Sequence, residues 1–294
     1  FFDDEAGRAL AQIDDPSAAK ALLDRLATAS EALMHEIGIG LGRNRSPGVQ
    51  QELLRRLPAS RGPARQAVLM ALADHYRRAP DPEVAAALWK VAQSDPQARE
   101  RALDVLGTAP NDALGRRVAA LYPGAPVGLK RKIIQILGDS GTGLEMILET
   151  AGSGQPILRA EAAWALRAHE GEEVTAALFG LLDDPAPTVS INASAALAAR
   201  ALDPGTVDLG PAAARASGPT RANLLIAIGR SGADTPDRPA LLAMVRRDPD
   251  PLVAESAVRL LVGRGQPADL TAASAVHKRT RDGGHRTQMA RLLG

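Results

Sequence analysis

Cysteine is absent from the 294 residues, which removes disulfides, thiolate metal sites and thiol nucleophiles at once. Aromatic residues are nearly absent too: two Trp, two Tyr and three Phe. Alanine and leucine must therefore fill any core, which favours closely packed helices over a sheet sandwich of Val, Ile, Tyr and Phe. No apolar run approaches the roughly 18–20 residues of a membrane span. An excess of charge of one sign is missing as well. The formal net charge is +1, so bulk electrostatics announces neither a nucleic acid nor a membrane surface. The compartment stays open between cytoplasm, slightly favoured, and periplasm. The chain starts Phe1-Phe2 without a methionine or a basic segment ahead of an apolar stretch, so the expectation is a processed or excised piece of a larger bacterial protein.

What is present is a repeat. The stretch "DPEVAAALWKVAQSDPQARERALDVLGTAPNDALG" (81–115) restarts a short apolar helical pattern after each Asp-Pro or Ala-Pro. An apolar-then-small step recurs at Leu41-Gly42, Leu72-Ala73, Leu106-Gly107, Leu137-Gly138, Leu166-Arg167, Leu197-Ala198, Ile228-Gly229, Val262-Gly263 and Leu293-Gly294. The spacing of about 29–34 residues fits two helices of about 12 residues joined by short turns. Pro16, Pro47, Pro82, Pro96, Pro126, Pro156, Pro204 and Pro251 fall near first helical positions, where a missing N–H costs nothing. Asp15, Asp81, Asp95, Asp203 and Asp250 precede prolines and suit helix N-caps. Gly107, Gly138 and Gly229 are expected to close helices in left-handed conformation.

The pattern resembles HEAT repeats and the similar HEAT-like repeats of phycobilin lyases. The residues that carry the resemblance are "DPQARERALDVLG" (95–107), "PVGLKRKIIQILG" (126–138), "QPILRAEAAWALR" (155–167) and "DPLVAESAVRLLVG" (250–263). It covers nearly the whole chain, with Ser190 and Ala254 replacing the usual basic residue. The resemblance implies an all-α fold: one right-handed α-solenoid, or superhelix, of about nine helical hairpins over residues 1–294, each repeat touching only its neighbours. Neither end reads as capped, so further domains or partners are expected there.

Strings that imitate catalytic motifs are better read as inter-helix turns. "GDSGTG" (138–143) looks like a protease nucleophile loop, and "GIGLG" (38–42) like a dinucleotide loop, but neither follows a strand. The histidines His35, His75, His169, His277 and His285 lack metal-ligand spacing. Asn44-Arg45-Ser46 and Asn192-Ala193-Ser194 match a glycosylation pattern that is common by chance. No enzyme activity, metal or cofactor is expected.

In this architecture second helices usually line the concave side. Aligning them stacks Asp24-Arg25, Arg55-Arg56, Trp89-Lys90, Arg116-Arg117, Leu148-Glu149, Phe179-Gly180, Ala214-Arg215, Arg246-Arg247 and His277-Lys278 in one column. That surface is basic toward both ends and apolar to acidic in the middle, where Glu145, Glu149, Glu172 and Glu173 cluster. A charged stripe is commonly a plain solvated face. As a site, it would grip an acidic or mixed-charge protein by charge-assisted pairing. The acidic centre disfavours duplex DNA, which wants a continuous basic track. A second column, Arg65, Arg99, Lys130, Arg159, Arg221 and Arg286, resembles the family's structural Asp–Arg ladder. Trp164 reads as a partly exposed residue packed on a neighbouring repeat, with a contact anchor as the alternative. Residues 251–294 carry net +4 against −3 for residues 1–50, a charge gradient that could favour head-to-tail association.

The expected function is a non-enzymatic protein–protein interaction scaffold, with Arg55, Arg56, Trp89, Lys90, Arg116, Arg117, Arg246, Arg247 and Lys278 as partner-binding residues. The alternatives are a nucleic-acid-binding or base-processing protein similar to DNA glycosylases of this architecture, and a tetrapyrrole-lyase-like protein. Both rest on the resemblance.

Overall fold

The computed structural model describes residues 2–200, 202, 209–231, 236–262, 274 and 287. Every regular element among the described residues is helical. The chain divides into two compact units, Phe1–Leu114 and Gly115–Gly294.

The first unit contains α1 (Phe2–Leu10), α2 (Pro16–Arg25), α3 (Glu31–Arg43), α4 (Val49–Arg56), α5 (Gly62–Arg78), α6 (Pro82–Ser94), α7 (Arg99–Leu106) and the start of α8 (Asp112–Ala119). The second continues with α9 (Val127–Ser140), α10 (Leu144–Ala151), α11 (Pro156–Ala165), α12 (Glu172–Gly180), α13 (Pro187–Ala199), α14 (Leu209–Arg215), α15 (Gly218–Ser231), α16 (Arg238–Arg247) and α17 (Pro251–Val262). Short 3-10 turns extend α11 and α12. In the first unit α1, α3 and α5 pack side by side, and in the second α9, α11, α13, α15 and α17 do so. The even helices α10, α12, α14 and α16 each lie against their own odd neighbours. A helix, a turn, and a second helix returning alongside is thus the repeating unit of both halves.

Aspartates set the helix starts. Asp15 Oδ1 accepts from the backbone N–H of Ser17 at 2.6 Å and Ala18 at 3.0 Å. Asp81 does the same for Glu83 and Val84. Each satisfies donors that the first helical turn leaves without partners. Asp95 accepts from Gln97 and Ala98 in the turn before α7, whose N-cap is Ala98. Pro16, Pro82, Pro156 and Pro251 open their helices as expected.

The glycine expectation is corrected. Gly107 closes α7 in right-handed conformation, and Gly138 and Gly229 lie inside helices, none with positive φ. The left-handed closure of α9 belongs to Gly141 (φ 65°), where Thr142 N–H reaches back to Leu137 C=O at 3.0 Å. Gly138 serves spacing instead. A Cβ there would stand 2.7 Å from both Cα and Cβ of Ala165, so α9 and α11 approach backbone to backbone. "GIGLG" is likewise not a turn; it lies within α3. A Cβ on Gly40 would meet Ala11 Cα at 2.6 Å, and one on Gly38 would crowd the Ala67 backbone. Small residues let neighbouring helices close where aromatics are too few to fill a gap.

Candidate functional site

Successive repeats are clamped by the second column of basic residues. Arg159, on α11, forms a fork with Asp184 in the turn before α13, at 2.7 and 2.9 Å. Its third nitrogen donates to Ser153 C=O, just past α10. Arg221 pairs with Asp248 at 2.5 Å and donates to the α14 carbonyls of Ala213 and Ala214. Arg65 pairs with Asp95 at 2.8 Å, and Arg99 donates to Ala92 and Gln93 at the end of α6. The same aspartates also accept from their own turns: Asp184 from Ala186 N–H and Asp248 from Asp250 N–H. One guanidinium therefore satisfies a preceding helix end and pins the following turn. Arg159 holds the Asp184 carboxyl below the usual carboxylate range. Lys130 departs from this pattern and sits over the Tyr122 ring at 4.9 Å. Arg286 lies outside the described residues.

The proposed partner-binding residues of the first unit fall into two kinds. Arg55 is 69% exposed and shares Glu52 with Arg56, both at 2.6 Å. Arg56 is half-buried, donates to Leu23 C=O at 2.7 Å and lies 3.6 Å from Asp24. It staples α4 to α2. Hydrogen bonds from Arg55 and then Arg56 lower the Glu52 pKa to about 2. The i, i+3 and i, i+4 spacing of Glu52 to Arg55 and Arg56 was readable in the sequence; alignment on the arginines alone missed it. Clefts of about 500 and 390 Å³ flank Arg56 on its two sides. Trp89 is half-exposed and Lys90 exposed, both on α6.

In the second unit Arg116 and Arg117 lie exposed on α8, and Arg246 and Arg247 exposed in the last turn of α16. Glu145 and Glu149 on α10, with Glu172 and Glu173 on α12, are also exposed. Lys278 lies outside the described residues, as do His277 and His285. Trp164 is 37% exposed. Arg167 stacks on its ring at 4.4 Å while bridging to Asp139 at 2.5 Å.

Nothing resembling a nucleophile–base pair surrounds the imitated motifs. Ser140 Oγ donates to Leu137 C=O and pairs with Thr142 Oγ1 at 2.8 Å, and this pair packs against Gly115. No group of three or more potential metal ligands occurs among the described residues. His75 meets Leu41 C=O at 3.0 Å, and burial lowers its pKa. His169 is buried, its Nε2 has no hydrogen-bond partner, and burial with the Arg200 charge lowers its pKa. Both glycosylation look-alikes are tied up: Asn44 is buried and donates to Asp15 C=O, and Asn192 donates from α13 to Ala160 C=O on α11. No helix among the described residues is long and apolar enough to cross a membrane.

One cavity escaped the sequence reading. A cleft of about 510 Å³ separates α5 from α7, floored by Leu69, Met70, Ala73 and Val105. Ala98 lies at its edge, at a position filled by buried Leu129, Leu158 and Val253 in other repeats. Its charged lining balances: Arg65, Arg77 and Arg101 against Asp95, Glu100 and Asp104. That balance favours no ligand of a single sign.

No protein-family model matches the chain, and no curated protein matches it. A solved structure described as an engineered protein is similar over 99% of this chain and 94% of its own, with a TM-score of 0.50 and 17% identity. At that identity the likeness concerns the fold alone.

Proposed function

We propose that the chain is a HEAT-like α-solenoid and serves as a non-enzymatic scaffold that binds an acidic or mixed-charge protein along its even helices. The observation that carries this is a division of labour found in each unit. Odd helices bury their apolar faces against one another, whereas even helices leave cations in solvent at equivalent places. These are Arg55 and Lys90 in the first unit, and Arg116, Arg117, Arg246 and Arg247 in the second. Arg56 is withdrawn from the contacting set, because its guanidinium already holds α2 and Glu52. Trp89, half-exposed beside Lys90, supplies the kind of aromatic anchor that dominates interface energies. The acidic α10 and α12 oppose a continuous phosphate track, which places nucleic acid second.

The test compares the wild-type chain with Arg55→Glu/Lys90→Glu and Arg116→Glu/Arg117→Glu variants as tagged baits in native lysate, at low and moderate salt. The same eluates are stained for nucleic acid. The expected outcome is a small set of proteins captured by wild type and reduced at least about tenfold by each variant, roughly 1.4 kcal/mol, with helicity unchanged. Equal capture by all three baits refutes the assignment. Nucleic acid alone, released by salt, favours the second reading.

A further inference from the structure

Of the five large apolar side chains exposed among the described residues, four lie on odd helices of the second unit. They are Ile157 and Trp164 on α11, Ile226 on α15 and Leu252 on α17, each 37–46% exposed. The repeat places them together. Each of α11, α13 and α15 has odd neighbours on two sides and even helices on a third, so what it exposes along its middle looks out on the fourth. Trp164, Ala195 and Ile226 each stand two residues before a fully buried Leu166, Leu197 or Ile228, and so share one level on that outer side. Ala195 is half-buried between its two larger neighbours. Ile157 lies seven residues before Trp164, two turns back on the same side.

A surface helix normally turns charged residues to solvent. α13 has no Asp, Glu, Lys, Arg or His over its 13 residues, and leaves Ile191 and Ala195 half-exposed. The amides beside the row are used sideways: Asn192 donates to Ala160 C=O on α11 at 2.8 Å, and Asn223 to Ser194 Oγ on α13 at 3.1 Å. Arg230, one turn beyond Ile226, donates to Ala198 C=O at the rim. Arg167 stacks on the Trp164 ring, donates to the Trp164 carbonyl and bridges to Asp139, which holds the ring in place. Packed helices lie about 8–10 Å apart and 13 residues of helix run about 20 Å, so the face from α11 to α17 measures roughly 27 by 20 Å. A single helix, about 10 Å across, would leave half of it bare. An apolar face of about 500 Å² marks an interaction surface, and this one calls for a partner of equal width.

We propose that this face takes the same face of a second copy, the two related by a two-fold axis that runs parallel to the odd helices between α13 and α15. Such an axis keeps residues of one level at that level. It sets α13 of one copy against α15 of the other, so Ile226 enters the low place left by Ala195, and the converse contact repeats this. Trp164 then lies over α17 of the other copy, an aromatic anchor against half-buried Leu260. An isologous contact requires self-complementarity of this kind. With no charge on α13, no like charges meet at its centre. Two such faces bury about 1,000 Å² in all, the lower bound for a specific interface, so the dimer forms reversibly at micromolar concentrations. The surface belongs to the odd helices and does not depend on the even-helix reading.

Sedimentation velocity of the purified chain, from micromolar to hundreds of micromolar, tests this. The expected mass rises from the 30.7 kDa of one copy to twice that, and sulfate, which strengthens apolar burial, favours the larger species. Ile226→Glu is expected to stay a single copy over the same range, with helicity by circular dichroism unchanged. The chain has no cysteine, so single thiols can map the contact. Ala195→Cys and Ile226→Cys, mixed in equal amounts under mild oxidation, are expected to cross-link faster than either alone. Facing positions come close enough for a disulfide, whereas like positions lie a further helix spacing apart. A single copy for wild type throughout the range overturns the proposal. So does a dimer that Ile226→Glu leaves intact, or cross-linking no faster in the mixture than in each variant. Wild type that stays single but sediments with vesicles of phosphatidylcholine and phosphatidylglycerol overturns it in favour of a lipid surface.

Discussion

Gly138→Ala distinguishes a glycine needed for spacing from one needed for backbone freedom. In an open helix interior the change stabilises, since Gly costs about 1 kcal/mol relative to Ala. Gly138 is not open: the added Cβ would stand 2.7 Å from Cα and Cβ of Ala165 and 3.2 Å from its carbonyl oxygen. Carbon contacts settle at about 3.5–4.0 Å, so α9 and α11 must separate by roughly 1 Å. Ala165 has no side-chain torsion that could relieve the clash. Overpacking costs about 1–3 kcal/mol, and contact with backbone places this case at the upper end. Subtracting the helix-propensity gain leaves a net loss of about 2 kcal/mol. Gly180 is the control: right-handed at φ −59° with nothing within 4 Å, so Gly180→Ala gains up to about 1 kcal/mol. Gly229 falls between, because its contact at 3.2 Å is the flexible end of Leu260; Gly229→Ala should stay within about 0.5 kcal/mol of wild type. Urea unfolding followed by circular dichroism reads all three. If Gly138→Ala stabilises as much as Gly180→Ala, the backbone-to-backbone approach of α9 and α11 is wrong.

Other perturbations reach different parts of the argument. Asp184→Ala leaves Arg159 half-paired at a site where both side chains are at most 14% exposed, and should cost about 3 kcal/mol of unfolding free energy. Asp74→Ala, which frees the more exposed Arg77, should cost under about 1 kcal/mol; equal losses would dismiss the clamp. Ala98→Leu adds three carbons toward the α5–α7 cleft and should raise the unfolding free energy read from urea titration by up to about 2 kcal/mol, whereas no gain would mean the cleft does not close over the new side chain. His169 has a pKa lowered from 6.5 by burial and by Arg200, so the folded state refuses a proton that the unfolded chain accepts. Its contribution to stability is complete above the unfolded value and is lost as pH falls through the folded one. Stability of the second unit should drop on acidification from about pH 7 to 5, and His169→Gln should flatten that slope; an unchanged slope assigns the effect elsewhere. Glu52, depressed from 4.5 to about 2, contributes above its unfolded value and loses that contribution as pH falls toward 2. Glu52→Gln should remove this lower step and leave the His169 window untouched.

Local chemistry was legible along the chain. Asp15 and Asp81 cap helices because a short carboxylate reaches N–H groups two and three residues on, a distance set by covalent geometry alone. Pro16, Pro82, Pro156 and Pro251 open helices for an equally local reason. The basic column at Arg65, Arg159 and Arg221 was legible too, since a period near 30 residues brings each beside the next turn's aspartate. Three-dimensional contact decided the rest. Gly138 and the glycines of α3 look like helix ends or turns in sequence; they are in fact the places where α11, α1 and α5 come too close for a Cβ. Arg55 and Arg56 are indistinguishable as letters, yet one faces water and the other reaches the end of α2. Pattern carries what neighbours in the chain do to one another. Which of two identical side chains stays exposed depends on helices packed from 30 residues away, and only the tertiary structure specifies that.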